Sequence, residues 1–216
     1  MSGARDAEIA DQLCAGAVAL GIPLDDGQCD QLLIYLSLLQ KWNRIYNLTA
    51  IRERSKWVSH HLLDSLAVVR HLPEGAVVDV GSGAGLPGIP LAIAQPARAV
   101  TLLDSNHKKG AFLQQALIEC RLSNCSVHIG RAEEWQPRSR FDGAVSRAFS
   151  DLAGFVEAAR GLVRPGGWLA AMKGVHPDEE LAQLPPGVAV NRVIPLEVPR
   201  LRAARHLIVM NLDASA

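Results

Sequence analysis

The sequence predicts an α/β fold in which a helical segment precedes a doubly wound, mainly parallel sheet of seven strands. Up to residue 72, apolar residues recur at the spacing of amphipathic helices, and Leu32, Leu36, Leu39 and Trp42 form one such stripe. From residue 73 onwards, short β-branched runs alternate with helical stretches, which is typical of parallel βαβ units. We therefore divide the chain into a helical subdomain at 1–72 and a sheet domain at 73–216.

Seven runs in the second part are predicted to be strands. They are AVVDV, AVTLLD, SVHIG, FDGAVSRA, GWLAAMKG, VAVNRVIPL and RHLIVMNL. Helical stretches separate most of the earlier runs, which favours parallel crossover connections. The last two runs lack a long helix between them, so we expect them to pair antiparallel and to place one antiparallel strand at the edge of the sheet.

Length and composition indicate one substantial core, since 49% of the 216 residues are hydrophobic. No stretch approaches the roughly 20 consecutive apolar residues of a membrane-spanning helix, and the first residues carry acids where a secretory signal would be basic and then apolar. We therefore expect a cytoplasmic protein without membrane contact. We also expect a monomer, because no obvious exposed apolar stripe demands a dimer. The four cysteines show neither CxxC spacing nor a nearby histidine ligand, so we expect free thiols and no metal site.

The formal net charge of zero hides an asymmetry along the chain. Residues 1–40 hold one basic and six acidic side chains, whereas residues 41–71 hold six basic and two acidic ones. A second basic cluster follows near the C-terminus. If both clusters fold onto one face, they form an electrostatic footprint for a nucleic-acid backbone, but charge counting alone equally allows a solvated surface. The candidate nucleic-acid contacts are Arg52, Arg54, Lys56 and Arg205, with Lys173 as a weaker candidate.

A glycine-rich turn after the first predicted strand is the sharpest local feature. The segment Val77–Gly88 reads VVDVGSGAGLPG, which is a buried strand that runs into a turn and then a helix. Glycines such as Gly81, Gly83 and Gly85 permit positive φ and let a ligand approach the backbone closely. The next strand ends at Asp104, whose carboxylate can accept hydrogen bonds from ribose hydroxyls. These features predict a cofactor that contains adenosine.

Residues 83–88 also match the dinucleotide pattern GxGxxG, so two cofactors must be compared. Asp79 stands two positions before the first glycine and would repel the pyrophosphate of a nicotinamide dinucleotide. S-adenosylmethionine instead presents an ammonium and a sulfonium group there. The chain also lacks room for the separate substrate domain that most dehydrogenases add. The sequence therefore favours S-adenosylmethionine, with a nicotinamide-dependent oxidoreductase as the alternative.

Several longer motifs resemble one bacterial family, the ribosomal RNA small-subunit methyltransferase G, also called glucose-inhibited division protein B. The shared strings are LLQKWNRIYNLTAI, HHLLDSL, VVDVGSGAGLPGIPLAI, LLDSNHKKGAFL, RAEEW, FDGAVSRAF, MKG and ARHL. They span nearly the whole chain. One departure is visible, because the family commonly has Glu or Asp before Arg205, where this chain has Ala204. This departure affects only that local contact.

The resemblance implies a Rossmann-like class I methyltransferase fold and S-adenosylmethionine as cofactor. It implies methylation of ring nitrogen 7 of guanine 527 in 16S rRNA, with the RNA or the small-subunit particle as partner. Carried over by motif, Gly81 and Leu86 are expected to contact the donor, Ala132 and Glu133 to line its adenine pocket, and Arg147 to lie where donor and substrate meet.

The end of the fourth predicted strand agrees with that chemistry. Ring nitrogen 7 of guanine presents a lone pair and needs no general base. The strand ends in Ser146-Arg147-Ala148, without the Asn/Asp-Pro-Pro-aromatic motif of many amine methyltransferases and without a cysteine nucleophile. Arg147 can donate to the guanine acceptor edge or to a phosphate. The alternative role for Arg147 is structural, as the partner of Asp142 or another nearby carboxylate in an ion pair.

Two histidines in the helical part are predicted to be hydrogen-bonded packing residues rather than catalysts. Asp64 stands three residues after His61, and we expect it to be the local partner of that histidine. Two further readings of function remain open at this point. The chain can be a non-catalytic RNA-binding module on a methyltransferase fold, or it can methylate a small metabolite.

Overall fold

A computed structural model describes residues 2–147 and 149–214, without the side chains of residues 2–6 and of Arg54. A 3-10 turn at Arg54–Lys56 and a π-helix at Val58–Leu63 lead into α3, and a further 3-10 turn spans Val69–His71. The helices and strands in chain order are α1 Ser2–Ala19, α2 Asp26–Tyr46, α3 Asp64–Leu66, β1 Val77–Val80, α4 Gly88–Ala94, β2 Val100–Asp104, α5 His107–Glu119, β3 Cys125–Ile129, β4 Phe141–Arg147, α6 Leu152–Arg160, β5 Val163–Lys173, α7 Asp178–Ala182, β6 Val188–Pro195 and β7 His206–Leu212.

The seven strands form one sheet in the order β3-β2-β1-β4-β5-β7-β6. Strands β1 to β5 are parallel to one another, and β7 runs antiparallel to both β5 and β6. The predicted seven-stranded, mainly parallel sheet is therefore confirmed, as is the antiparallel pairing of the last two strands.

The position of the antiparallel strand differs from the expectation. It lies between β5 and β6, so the edge strand is β6, which is parallel to β5. The physical reason is burial, because most of the β7 side chains are buried whereas those of β6 are mostly exposed. A strand that is apolar on both faces is stable inside a sheet, and a polar strand suits the edge.

Helix α2 shows why the N-terminal part packs against the sheet. Asp25 caps the helix by accepting from the backbone N–H of Gln28, and the Gln28 side chain accepts from the backbone of Asp25. The helix ends at Asn47, which adopts the left-handed conformation at φ 50°. Its predicted leucine stripe is buried and belongs to the same core as one face of the sheet. The division at residue 73 stays a prediction.

The buried Tyr35 of α2 fixes the turn after β1. Its hydroxyl donates to the carbonyl of Ala84 at 2.6 Å, and its ring packs near Phe112 of α5. Leu152, Phe155 and Val156 of α6 cover the other face of the sheet and complete the second core. None of the helices in the described ranges is both long enough and apolar enough to cross a bilayer.

Replacing Tyr35 by phenylalanine is expected to lower the free energy of unfolding by about 1 kcal/mol, because the buried carbonyl of Ala84 loses its donor. Urea denaturation followed by circular dichroism measures this loss. Tyr46→Phe is the matched control, since Tyr46 is 42% exposed at the end of the same helix. Equal stability of the two variants would contradict the role of the Tyr35 hydroxyl.

Candidate active site

The turn after β1 takes the conformation that its glycines permit. Gly81, Gly83 and Gly85 have φ values of 70°, 59° and 81°, a region that other residues rarely adopt. The backbone N–H groups of Gly81 and Ser82 both donate to the carbonyl of Leu103 on β2. A Cβ atom at Gly81 would have its nearest neighbour, Phe149, at 4.0 Å. The turn therefore faces open space at Gly81.

That open space is a cavity of about 260 Å³ at the carboxyl ends of the parallel strands. Its lining residues are Val80, Gly81, Leu103, Ser105, Gly130, Arg131, Ala132, Glu133, Phe149 and Ala158. The structure thus brings Gly81 together with Ala132 and Glu133, which were predicted to line one donor pocket. The other residues predicted to contact the donor are not among the lining residues of this cavity; they are Asp79, Gly83, Gly85, Leu86, Asp104 and Arg147.

Asp79 is fully buried beside the turn. Its Oδ2 accepts from the backbone N–H of Gly88 at 2.8 Å, whereas Oδ1 has no hydrogen-bond partner among the described residues. Burial raises the pKa of Asp79 to about 7. A buried carboxylate oxygen without a donor is costly, and a cationic group placed there would satisfy it.

Asp104 at the end of β2 is held by backbone groups on both sides. Its Oδ2 accepts from the N–H of Gly83 at 2.8 Å, and its Oδ1 accepts from the N–H of Asn106 at 2.9 Å. The Lys109 ammonium lies 3.8 Å from Oδ2. The carboxylate therefore ties the glycine turn to β2, which sequence reasoning missed, while its contact with a ribose stays a prediction.

Arg147 at the end of β4 pairs with a carboxylate of the N-terminal region. Its Nη1 lies 3.4 Å from Oδ2 of Asp64, and Nε of Arg205 lies 2.9 Å from Oδ1 of the same side chain. The proposed pairing of Arg147 with Asp142 is wrong, because Asp142 pairs with Arg164 at 2.8 Å. Arg147 does pair with another nearby carboxylate, Asp64, and its role at the substrate stays a prediction.

The expected pairing of Asp64 with His61 is also wrong. Both carboxylate oxygens of Asp64 accept hydrogen bonds from the two arginines. Nε2 of His61 instead lies 3.0 Å from the hydroxyl of Thr49. His61 is a buried, hydrogen-bonded packing residue, as predicted, and burial lowers its pKa to about 4. Ion pairs with two guanidinium groups stabilise the Asp64 carboxylate more than a hydrogen bond from the neutral ring of His61 would.

Lys173 is held inside the fold. Its ammonium lies 2.7 Å from Oε2 of Glu180 and 3.4 Å from the carbonyl of Phe149, and only 12% of the side chain is exposed. This contact positions the segment that carries Phe149 over the glycine turn. Its predicted role in RNA binding remains untested.

The two basic clusters meet on one side of the molecule. Lys56 and His60 from the first cluster and Arg200 and Arg202 from the second line a groove of about 400 Å³, which we call the basic groove. The carbonyl of His60 accepts from Arg147, so the groove is adjacent to the end of β4. Arg52 is exposed and stands shortly before Lys56 in the sequence. The side chain of Arg54 lies outside the described part of the chain.

The strand order, the glycine turn after β1 and the carboxylate that ends β2 together define a methyltransferase of the class I fold. A glycopeptide N-methyltransferase, MtfA, has a similar structure, with a TM-score of 0.59 and 14% identity over 74% of this chain and 98% of that one. A methyltransferase from Aquifex aeolicus described as S-adenosylmethionine-dependent gives a TM-score of 0.57 and 20% identity over 77% of this chain and 97% of that one. These likenesses concern the fold alone.

The chain belongs to the family described as GidB, rRNA small subunit methyltransferase G, whose sequence model matches residues 28–208. It is 52% identical over 202 residues to the ribosomal RNA small subunit methyltransferase G of Laribacter hongkongensis, covering 94% of this chain and 98% of that protein. The Burkholderia pseudomallei protein of the same name is 53% identical over 209 residues, covering 93% and 91%. The family is S-adenosylmethionine-dependent, so the predicted family and cofactor are confirmed.

Proposed function

We propose that this chain methylates ring nitrogen 7 of guanine 527 in 16S rRNA, in the cytoplasm. Besides family membership, the observation that supports this most is the composition of the cleft at the end of β4. It holds two guanidinium groups from Arg147 and Arg205 and a carboxylate that already pairs with both. This arrangement suits an acceptor atom that has no proton to lose.

The residues around the glycine turn fit the methyl donor. Oδ1 of Asp79 is buried without a described donor, which suits the ammonium of the methionine part. The cavity beside Gly81, Ala132 and Glu133 suits the adenosine part, and the carboxylate of Asp104 is oriented near the same turn. S-adenosylmethionine, when bound, would supply a methyl group on a sulfonium, which can pass to a nucleophile with a free lone pair while the neutral thioether leaves.

The polar side chains that the structure describes near the end of β4 already take part in hydrogen bonds or ion pairs. The hydroxyl of Ser146 is buried and donates to the carbonyl of Val80 at 2.7 Å. His61 contacts Thr49, and Asp64 contacts two arginines. None of these is placed to remove a proton, and ring nitrogen 7 requires no removal. Arg147 can donate to the guanine O6 edge or to a phosphate, which orients the acceptor for in-line attack.

Methylation mapping tests this proposal directly. Purified protein, radiolabelled donor and either naked 16S rRNA or small-subunit particles that lack the modification are combined, and the labelled nucleotide is located by mass spectrometry. We expect label on ring nitrogen 7 at guanine 527. Label at another nucleotide would overturn the assigned position, and RNA binding without any label would favour the non-catalytic RNA-binding module. Transfer only to small molecules would favour the metabolite enzyme.

Neutralising the basic groove is expected to weaken RNA binding without changing donor binding. The double variant Lys56→Gln, Arg202→Gln removes two positive charges from the groove, so the slope of log affinity against log salt should fall by about 1 to 2. Filter binding to 16S rRNA across KCl concentrations measures the slope. The control is Arg138→Gln, Arg140→Gln, because these exposed arginines lie just before β4 begins, at the opposite end of the sheet. Equal slopes in both double variants would contradict the assignment.

A further inference from the structure

Asp64 joins three distant parts of the chain at the cleft. It lies in α3 with 4% of its side chain exposed, and its two carboxylate oxygens contact Arg147 at the end of β4 and Arg205 just before β7. The contacts span 83 and 141 residues of sequence. A buried carboxylate is stable only when it is paired, and here two guanidinium groups pair with it.

The pairing leaves positive charge and hydrogen-bond donors at the cleft. Two guanidiniums against one carboxylate leave one net positive charge. The described bonds use Nη1 of Arg147 and Nε and Nη1 of Arg205, whereas each guanidinium has five N–H donors. The two arginine side chains are 22% and 24% exposed, so part of each reaches solvent. The planar fork of a guanidinium matches the oxygens of a phosphate.

The two arginines also lie beside the basic groove. The carbonyl of His60 accepts from Nη1 of Arg147 at 3.3 Å, and His60 lines the groove together with Lys56 and Arg202. A nucleic-acid backbone that follows the groove would therefore reach the paired guanidiniums next, close to the donor turn.

We propose that Asp64 is a positioning residue that holds Arg147 and Arg205 side by side as one receptor for a phosphate group of the RNA substrate. This inference rests on the proposed function and assigns a ligand to its cleft. Asp64 itself contacts no substrate atom in this role. It keeps the two guanidiniums adjacent despite their like charge, and it orients the N–H groups that it does not use toward the cleft.

The test is Asp64→Asn, compared with the double variant Arg147→Gln, Arg205→Gln. We expect Asp64→Asn to bind S-adenosylmethionine within about twofold of wild type, because both carboxylate oxygens of Asp64 contact arginines rather than the glycine turn. Its salt slope for 16S rRNA should fall by about 1, since one phosphate contact is lost. Its kcat for methyl transfer should fall on the order of 100-fold, as expected for a misplaced acceptor.

A double-mutant cycle separates positioning from a structural role. In the background that lacks both arginines, Asp64→Asn should change neither the salt slope nor kcat further, because there is nothing left to position. A merely structural Asp64 would lower the melting temperature and donor affinity and leave the salt slope at the wild-type value, which would overturn the inference.

Asp64→Glu covers the case in which Asp64→Asn fails to fold, since it keeps the negative charge and moves it by one methylene. We expect it to fold, to retain donor affinity and to show a lower kcat with a reduced salt slope. Wild-type values for both quantities would overturn the inference. Wild-type protein on the same rRNA tests the proposed function separately, because missing methylation at guanine 527 would overturn that function, whereas the salt slopes still report on Asp64.

Discussion

Gly81→Asp is expected to abolish binding of S-adenosylmethionine, with a loss of affinity of more than about 100-fold. Gly81 has φ 70°, a conformation that costs a residue with a Cβ about 1 to 2 kcal/mol. The new side chain would also extend into the cavity of about 260 Å³ that Gly81 lines, which removes volume needed by the adenosine part. Isothermal titration calorimetry measures the loss.

Gly161→Asp is the matched control for that variant. Gly161 ends α6, and a Cβ placed there meets no atom within 4 Å. Its φ of −70° suits any residue. We expect this variant to bind the donor as wild type does. A comparable loss of affinity in both variants would show that a general loss of stability, rather than the glycine turn, explains the result for Gly81→Asp.

Asp79→Asn is expected to raise stability and destroy donor binding at the same time. The pKa of Asp79 is 3.8 when the group is solvated and about 7 when it is buried in the fold. A raised pKa contributes stability that is complete below pH 4 and is lost as the pH rises through 7. Asparagine does not titrate, so the variant should match wild type near pH 4 and exceed it above pH 7 by up to about 4 kcal/mol.

Donor binding should respond in the opposite direction. The ionised form of Asp79 attracts an ammonium, so the affinity of wild type for S-adenosylmethionine should rise as the pH increases through 7. Asp79→Asn should bind at least about 100-fold more weakly above pH 7, because it lacks the charge that stabilises the cation. Urea denaturation between about pH 4 and 8 tests the first statement, and calorimetry on either side of about pH 7 tests the second.

Asp142→Asn provides a control of opposite sign. Its hydrogen bond with Arg164 lowers the pKa of Asp142, so the ionised form stabilises the fold. Removing that carboxylate should lower stability near neutral pH and leave donor affinity unchanged. A gain in stability for Asp142→Asn, or no pH-dependent gain for Asp79→Asn, would contradict the roles assigned to the two carboxylates.

The parts of the fold that the sequence predicts correctly follow from local rules. The strand runs are recognisable because β-branched residues alternate with helical stretches, and the turn after β1 is recognisable because Gly81, Gly83 and Gly85 permit positive φ. The resemblance to the family predicted that Gly81, Ala132 and Glu133 lie at one donor site. All three line the same cavity.

The parts that sequence reasoning missed depend on long-range packing. Asp64 was assigned to His61 three residues away, but its partners are Arg147 and Arg205, which no spacing rule connects to it. The order of β6 and β7 was missed for a related reason, since an antiparallel pair can join a sheet through either strand. Their relative burial decides this, and burial depends on the finished fold.

The hydrogen bond from Tyr35 to Ala84 makes α2 a structural support for the donor turn. The backbone shape at that turn therefore depends on how well a helix that precedes it by 49 residues packs against the sheet. Substitutions along the leucine stripe can thus alter affinity for a small molecule that none of those leucines touches. A substitution in this helix and a substitution in the glycine turn therefore affect the same backbone conformation, so each segment limits which substitutions the other tolerates.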